Sequence, residues 1–421
     1  MGNFVPYVRL LISFLLVGCS SRSWSQAIPD LPDRYRSDVA GARAQPVFDP
    51  LGMRFGSFVA HADGDVEIGY NSNLFGRSRQ SVGDGSVRFN PAVRVASDWG
   101  RHEVDLSAAA DFTRYFDNKD QDTDEYRFHA GAKLQVGDRI SFRPAVEFSR
   151  EAEPRGTAGN RFVIGDPLYQ RRLATSLAAS YDGGLFTAEL VLADRHERYE
   201  PIHIDGVLVS QTARDEDAVG GRLTLLKRIT PAFSALIQGV ADDTRNPHDQ
   251  FCCDRQAHGY AILAGFRLDP SGLLAGQVAI GYRRRFFPGT DSRSQGLTYD
   301  ARLQWYPTEL ITLSLRADQQ FRNSGIIGSS AVLSNHQTLN VAYEMYRDLN
   351  FYLEAGHEGD DYREIETRTH LNTLALRATY TSRRLIQLSA FARYLDSNTN
   401  RPAFASAYKA VHAGLGLRIR I

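Results

Sequence analysis

The chain has 421 residues, with 49 Lys+Arg balanced by 49 Asp+Glu, 43% hydrophobic residues and 3 Cys. The apolar content excludes a disordered chain, and so few cysteines exclude a disulfide scaffold. A net charge of zero removes the broad electrostatic reason to bind nucleic acid, which is not expected as a partner.

The N-terminus reads as an address. Positively charged Met1–Arg9 runs into the apolar stretch Leu10–Val17. A membrane-spanning helix needs about 20 residues, so this stretch suits a signal peptide instead. Two processing routes are open. Leu16-Val17-Gly18-Cys19 has the form of a lipobox, which would make Cys19 the lipid-attachment residue. Ordinary cleavage near Ser23–Ala27 would remove residues 1–26 and Cys19 with them. Either route takes the chain out of the cytoplasm. Residues 27–64, with Pro29, Pro32, Pro46 and Pro50, read as an extended periplasmic linker.

From residue 65 to 421 a period of two keeps returning. In Thr298–Trp305 the residues Tyr299, Ala301, Leu303 and Trp305 fall on one side, and Thr298, Asp300, Arg302 and Gln304 on the other. Ile140–Phe148 and Val411–Ile421 alternate likewise. Such alternation is the mark of a half-buried strand. About eighteen such segments are predicted, at 65–75, 84–98, 102–117, 124–137, 139–151, 168–182, 184–198, 216–228, 231–244, 256–269, 273–287, 294–307, 310–322, 332–347, 349–362, 367–382, 384–397 and 405–421. Their connections alternate short and long. Short ones include Trp99-Gly100-Arg101 and Asp182-Gly183-Gly184; long polar ones include 152–167 and 199–215.

Short turns at one end, long loops at the other and an even strand count predict an all-β fold, a transmembrane antiparallel barrel in the outer membrane of a Gram-negative cell. In lipid every backbone N–H and C=O must find a partner, so the sheet must close. Around 16–18 strands would leave an aqueous lumen. Aromatics near strand ends, among them Trp99, Tyr181, Trp305, Tyr306 and Tyr346 at the turn end and Tyr115, Phe116, Phe286 and Phe287 at the loop end, are expected to form the interfacial girdles. A soluble protein of two packed sheets is the alternative, but its turns would not sort by length.

Certain short blocks carry a family likeness. Asp49–Phe58, Glu67–Phe75, the turn Ser97–His102 and the closing Gly414–Ile421 resemble the family of putative β-barrel porins of type 2. The resemblance implies an outer-membrane barrel, membrane lipid and lipopolysaccharide around it, and insertion by the barrel-insertion machinery. It also implies an association with exopolysaccharide export, hence polysaccharide cargo and periplasmic export components as partners. Such proteins usually end in an aromatic residue, whereas this chain ends in Ile421, which weakens that insertion signal.

No catalytic constellation is present: no His-Glu-x-x-His, Gly-x-Ser-x-Gly or phosphate loop, so no enzyme and no cofactor is expected. The chemistry lies in the face turned away from lipid. The candidate channel-lining residues are Arg94, Arg143, Arg222, Arg267, Arg283, Arg302, Arg316, Arg377, Arg393 and Arg418, with Glu147, Glu189, Asp300 and Asp318. Arginine binds carboxylate and phosphate bidentately, so a cationic majority would draw anionic solutes. The competing expectation is a self-neutralising network in which these charges pair and stiffen the wall. Alternation turns Arg284 outward, toward lipopolysaccharide phosphates or a solvated edge. The acidic cluster Asp117–Glu125 lacks the pattern of a calcium loop and reads as solvated, so no metal is expected. Cys252-Cys253 carries no assigned role. Ile202–Val209 reads as a hairpin that either extends the wall or folds inward. The leading function is a pore for exopolysaccharide, with a diffusion porin for small solutes and a non-conducting surface barrel as the other readings.

Overall fold

The computed structural model describes residues 40, 49–156, 165–204, 206–248, 256–268, 273–288, 293–323, 329, 331–362 and 365–421. The signal region, Cys19 and Cys252-Cys253 lie outside the described residues.

A short β1 (Met53–Phe55) is followed by β2 (Phe58–Asn71), β3 (Asp84–Ser97), β4 (Glu103–Tyr115), β5 (Thr123–Val136), β6 (Ile140–Ala152), β7 (Tyr169–Asp182) and β8 (Phe186–Tyr199). A small hairpin, β9 (Ile202–Ile204) and β10 (Val207–Val209), precedes β11 (Glu216–Thr230), β12 (Phe233–Arg245), β13 (Ala257–Leu268) and β14 (Leu274–Phe286). Then come β15 (Arg293–Thr308), β16 (Ile311–Asn323), β17 (Ala331–Tyr346), β18 (Leu349–Tyr362), β19 (Thr367–Arg383), β20 (Ile386–Thr399) and β21 (Tyr408–Arg420).

Each long strand pairs antiparallel with the next, β8 passes to β11, and β21 returns to β2. Asp63 faces Arg420 and Asn71 faces His412 across that seam. The described residues thus form a closed 18-strand barrel. The shortest of its strands has 13 residues if β13, with 12, is set aside. At about 3.3 Å per residue and a tilt near 40°, such a strand rises on the order of 30 Å, enough to cross an apolar band of about 25 Å.

The first strand begins at Phe58, seven residues ahead of the alternation seen in the sequence. Ala60, His61, Ala62, Asp63 and Gly64 offer almost no contrast between faces, so the pattern is silent there although the backbone pairs with β3 throughout. The β1–β2 hairpin stands on the same end of the barrel. It occupies the edge of β2 beyond Ala62, whose N–H and C=O exchange hydrogen bonds with Ile421. Ala40 is 1% exposed, and its N–H donates to Thr312 Oγ1 (2.8 Å) near the β15–β16 turn.

The turns sort by length as expected. Those on the β1 end are tight: Gly137 between β5 and β6 has φ +61, a left-handed conformation that a side chain would oppose. The outward face is a belt of large apolar groups, with Ile237, Ile262 and Ile280 each 60% exposed or more. In water that belt would be untenable; in lipid it is the solvent-matched surface. Trp99, Tyr181, Trp305 and Tyr346 stand on this outer face near the turn end. Neighbouring aromatics cannot share a face, however. Tyr306 turns inward and donates to Gln304 Oε1 (2.8 Å), and Phe287 is buried against Ala257 while Phe286 stacks on His258 and Tyr260.

Candidate functional site: the luminal wall

Alternation fixes which side chains face the lumen, and the register fixes their neighbours. Leu177, Leu190, Leu192, Leu223 and Leu225 are exposed on the outside, so the residues between them point in. All fourteen candidate lining residues fall on the inward parity of their strands. Arg94, Arg143, Arg222 and Arg393 stand there on β3, β6, β11 and β20.

Many of the rest are paired within the wall. Arg302 bonds Asp300 (3.2 Å) and Arg316 bonds Asp318 (3.3 Å), each along its own strand, and the two pairs face each other across β15 and β16. Arg418 on β21 reaches Asp65 on β2 (3.1 Å) across the closing seam. Arg377 on β19 reaches Glu67 on β2 (2.9 Å), past β20 and β21, and lies over the Phe391 ring at 5.0 Å. Glu147 approaches Arg127 (3.8 Å), which also pairs with Glu151. Arg267 on β13 passes β11 and β12 to meet Glu189 on β8 in a bidentate pair, 2.8 and 2.9 Å, and takes in Gln277 at 3.0 Å. Side chains reach past intervening strands because the wall is concave on this side and its inward groups converge.

The two halves of the lumen differ. On β4 and β5 none of the inward side chains is buried. On β8 and β11–β14 they are covered almost completely, Val191 at 1% and Leu236 at 2%. An apolar cluster lies on this inner face: Val191, Leu226, Leu236, Val240 and Leu263, with Ala178, Ala193, Ala261 and Ala279. The inner surface is therefore not polar throughout. The Leu190-Val191-Leu192 run carries apolar groups on both faces, and a rule that sends every apolar residue outward misses the inner member.

At the outer mouth the loops interlock. The β6–β7 loop passes β3–β5 to place Gly156 against Gly76 and the ring of Tyr408. Arg155 donates to Gln121 (2.6 Å) and to the Gly165 carbonyl (2.6 Å). Glu153 pairs with Arg214 (2.8 Å). Arg150 grips Glu200 with two bonds of 2.9 and 2.8 Å, and Arg171 adds a third (2.6 Å). Donation from Arg150, then Arg171, holds the Glu200 carboxyl below its ordinary value. The β9–β10 hairpin joins no barrel strand; it pairs on itself, leaves Val207 and Leu208 exposed, and is tied to the β6–β7 loop by His203 and Asp166 (2.9 Å). Arg284 faces outward and stacks on Phe286 at 4.5 Å. In the acidic loop Asp122 accepts from the Tyr115 N–H (2.8 Å) and Asp124 pairs with Arg114 (2.6 Å).

A closed barrel with an apolar belt outside, charged pairs inside and long loops over one mouth defines an outer-membrane β-barrel of the porin class. The family described as "Putative beta-barrel porin 2" matches residues 45–421, and the chain belongs to it. No curated protein matches the chain in sequence. Among solved structures, the outer membrane protein opdK from Pseudomonas aeruginosa is 10% identical, with 86% of this chain and 99% of that chain covered at a TM-score of 0.43. The siderophore receptor PiuA from Acinetobacter baumannii is 10% identical, with 88% and 82% covered at 0.46. The siderophore receptor PirA from the same organism is 8% identical, with 85% and 80% covered at 0.42. No functional argument rests on these likenesses.

Proposed function

We propose that this barrel is an outer-membrane pore for a secreted polysaccharide. The observation that carries the reading is the luminal wall itself. Its charges are compensated pair by pair, as in Arg377–Glu67, Arg267–Glu189 and Arg302–Asp300, so it offers many hydrogen-bonding groups at little net charge. A hydrated, hydroxyl-rich chain is the cargo such a surface suits, because hydroxyls both donate and accept. An ion-selective pore would instead need rings of one sign. The paired charges support the expectation of a self-neutralising wall over a preference for anionic solutes.

Deletion of the gene is expected to abolish secreted polysaccharide while leaving small-solute uptake unchanged, with both restored by the full-length chain. Normal polysaccharide output with slowed uptake would make the protein a diffusion porin, a reading favoured by the uncovered inner face of β4 and β5. A barrel silent in planar bilayers would remove both pore readings.

A further inference from the structure

Several arginines that face outward near the loop end are compensated within the protein. Arg114 meets Asp124 (2.6 Å), Arg171 meets Glu200 (2.6 Å), Arg198 meets Asp217 (2.7 Å) and Arg245 meets Asp243 (3.3 Å). Arg284 on β14 differs. Among the described residues it makes no ion pair, and its guanidinium lies over the Phe286 ring. Its ladder neighbours are the neutral Tyr260 on β13 and Gln295 on β15. Asp243, two strands away on β12, is already taken by Arg245.

The height of Arg284 matters. It stands ten residues beyond Leu274, where β14 begins at the turn end. At about 3.3 Å per residue and a tilt of about 40°, that is a rise of about 25 Å, the height of the apolar band. The guanidinium thus lies where acyl chains give way to headgroups on the loop side. Below it the exposed Ile262, Tyr282 and Leu297 form one row across β13–β15, with Ile280 beneath them. Beside it His258 and Tyr260 pack against Phe286 as an aromatic shelf, with ring centroids 5.3 and 6.2 Å apart.

We infer that this patch binds one molecule of the phosphorylated glycolipid of the outer leaflet, the lipid A part of lipopolysaccharide. Its phosphate accepts from two guanidinium N–H groups of Arg284 in the bidentate fork. Its sugar ring lies on the shelf of Phe286, His258 and Tyr260, which offers apolar ring faces. Its acyl chains run down over Tyr282, Ile280 and Leu297, which they cover with matching apolar surface. Free phosphate lacks the last two contacts and a phospholipid lacks the sugar. The three contacts together select an acylated, phosphorylated sugar. The site lies on the lipid face and stands independently of the pore reading.

The test is native mass spectrometry of the full-length barrel in detergent, titrated with diphosphoryl lipid A and, separately, with phosphatidylglycerol. Lipid A is expected to bind as one saturable adduct, more tightly than phosphatidylglycerol, and excess inorganic phosphate should not displace it. Arg284→Gln should weaken lipid A binding roughly tenfold, the loss of about one charge-assisted hydrogen bond. Arg284→Lys keeps the charge without the fork and should recover part of that loss. Arg245→Gln, at a position already paired, should leave binding unchanged. Phe286→Leu should weaken lipid A more than phosphatidylglycerol, and it gives the answer if Arg284→Gln does not fold. Equal binding of the two lipids, displacement by inorganic phosphate, or parental affinity in Arg284→Gln would overturn the site.

Discussion

The Arg267–Glu189 pair gives the sharpest quantitative expectation. Both side chains are largely withdrawn from water, at 13% and 4% exposure, and they are joined by two bonds of 2.8 and 2.9 Å. The pair spans β11 and β12 on the inner face, so both groups are already largely desolvated in the folded barrel. Arg267→Met removes one partner and leaves a buried carboxylate without its counter-charge, beside Ser180 and Thr224. Breaking a buried pair in this way costs about 3–5 kcal/mol, whereas replacing both partners by apolar groups is often neutral. The single variant is therefore expected to lose about 3–5 kcal/mol, and Arg267→Met with Glu189→Leu to lose about 1 kcal/mol or less. Urea unfolding in detergent or vesicles, followed by heat-modifiable migration, reads both. A double variant as unstable as the single, or a single variant within about 1 kcal/mol of the parent, would refute the claim that this wall is held by desolvated pairs.

Three other outcomes follow from the same geometry. Ile262→Arg sets a charge on the lipid face in the middle of β13 and should cost about 2–4 kcal/mol of folding free energy in liposomes; a cost near zero would place Ile262 outside the membrane. Gly156 has φ +82, and a Cβ there would fall 2.5 Å from the Tyr408 ring. Gly156→Ala should therefore unseat the β6–β7 loop from the mouth and expose it to external protease without preventing barrel assembly, and unchanged cleavage would count against the seating. Glu200 lies in an outer loop with a lowered carboxyl value, so its contribution is full above the usual Glu value near 4.3 and fades as pH falls through the lowered one. Acidification below that range should loosen the outer layer, seen as faster amide exchange at Tyr169 and Glu200. In Glu200→Gln that acid-dependent change should disappear.

The sequence by itself determined the barrel. Period-two alternation and the sorting of short and long connections fixed the strands, their count and the outward belt, because each depends only on neighbours along the chain. Where a stretch lacks contrast, as at Ala60–Gly64, or is apolar on both faces, as at Leu190–Leu192, that local signal fails. The partners of the inward charges were not legible. Arg377 meets Glu67 more than 300 residues away, and Arg267 meets Glu189 over two intervening strands. Only closure and curvature decide which inward groups converge, since they are set by the circumference of the whole sheet. The same holds for Gln238 and Gln320: each is one polar residue in an ordinary strand, and only the folded wall buries its side-chain oxygen without a partner.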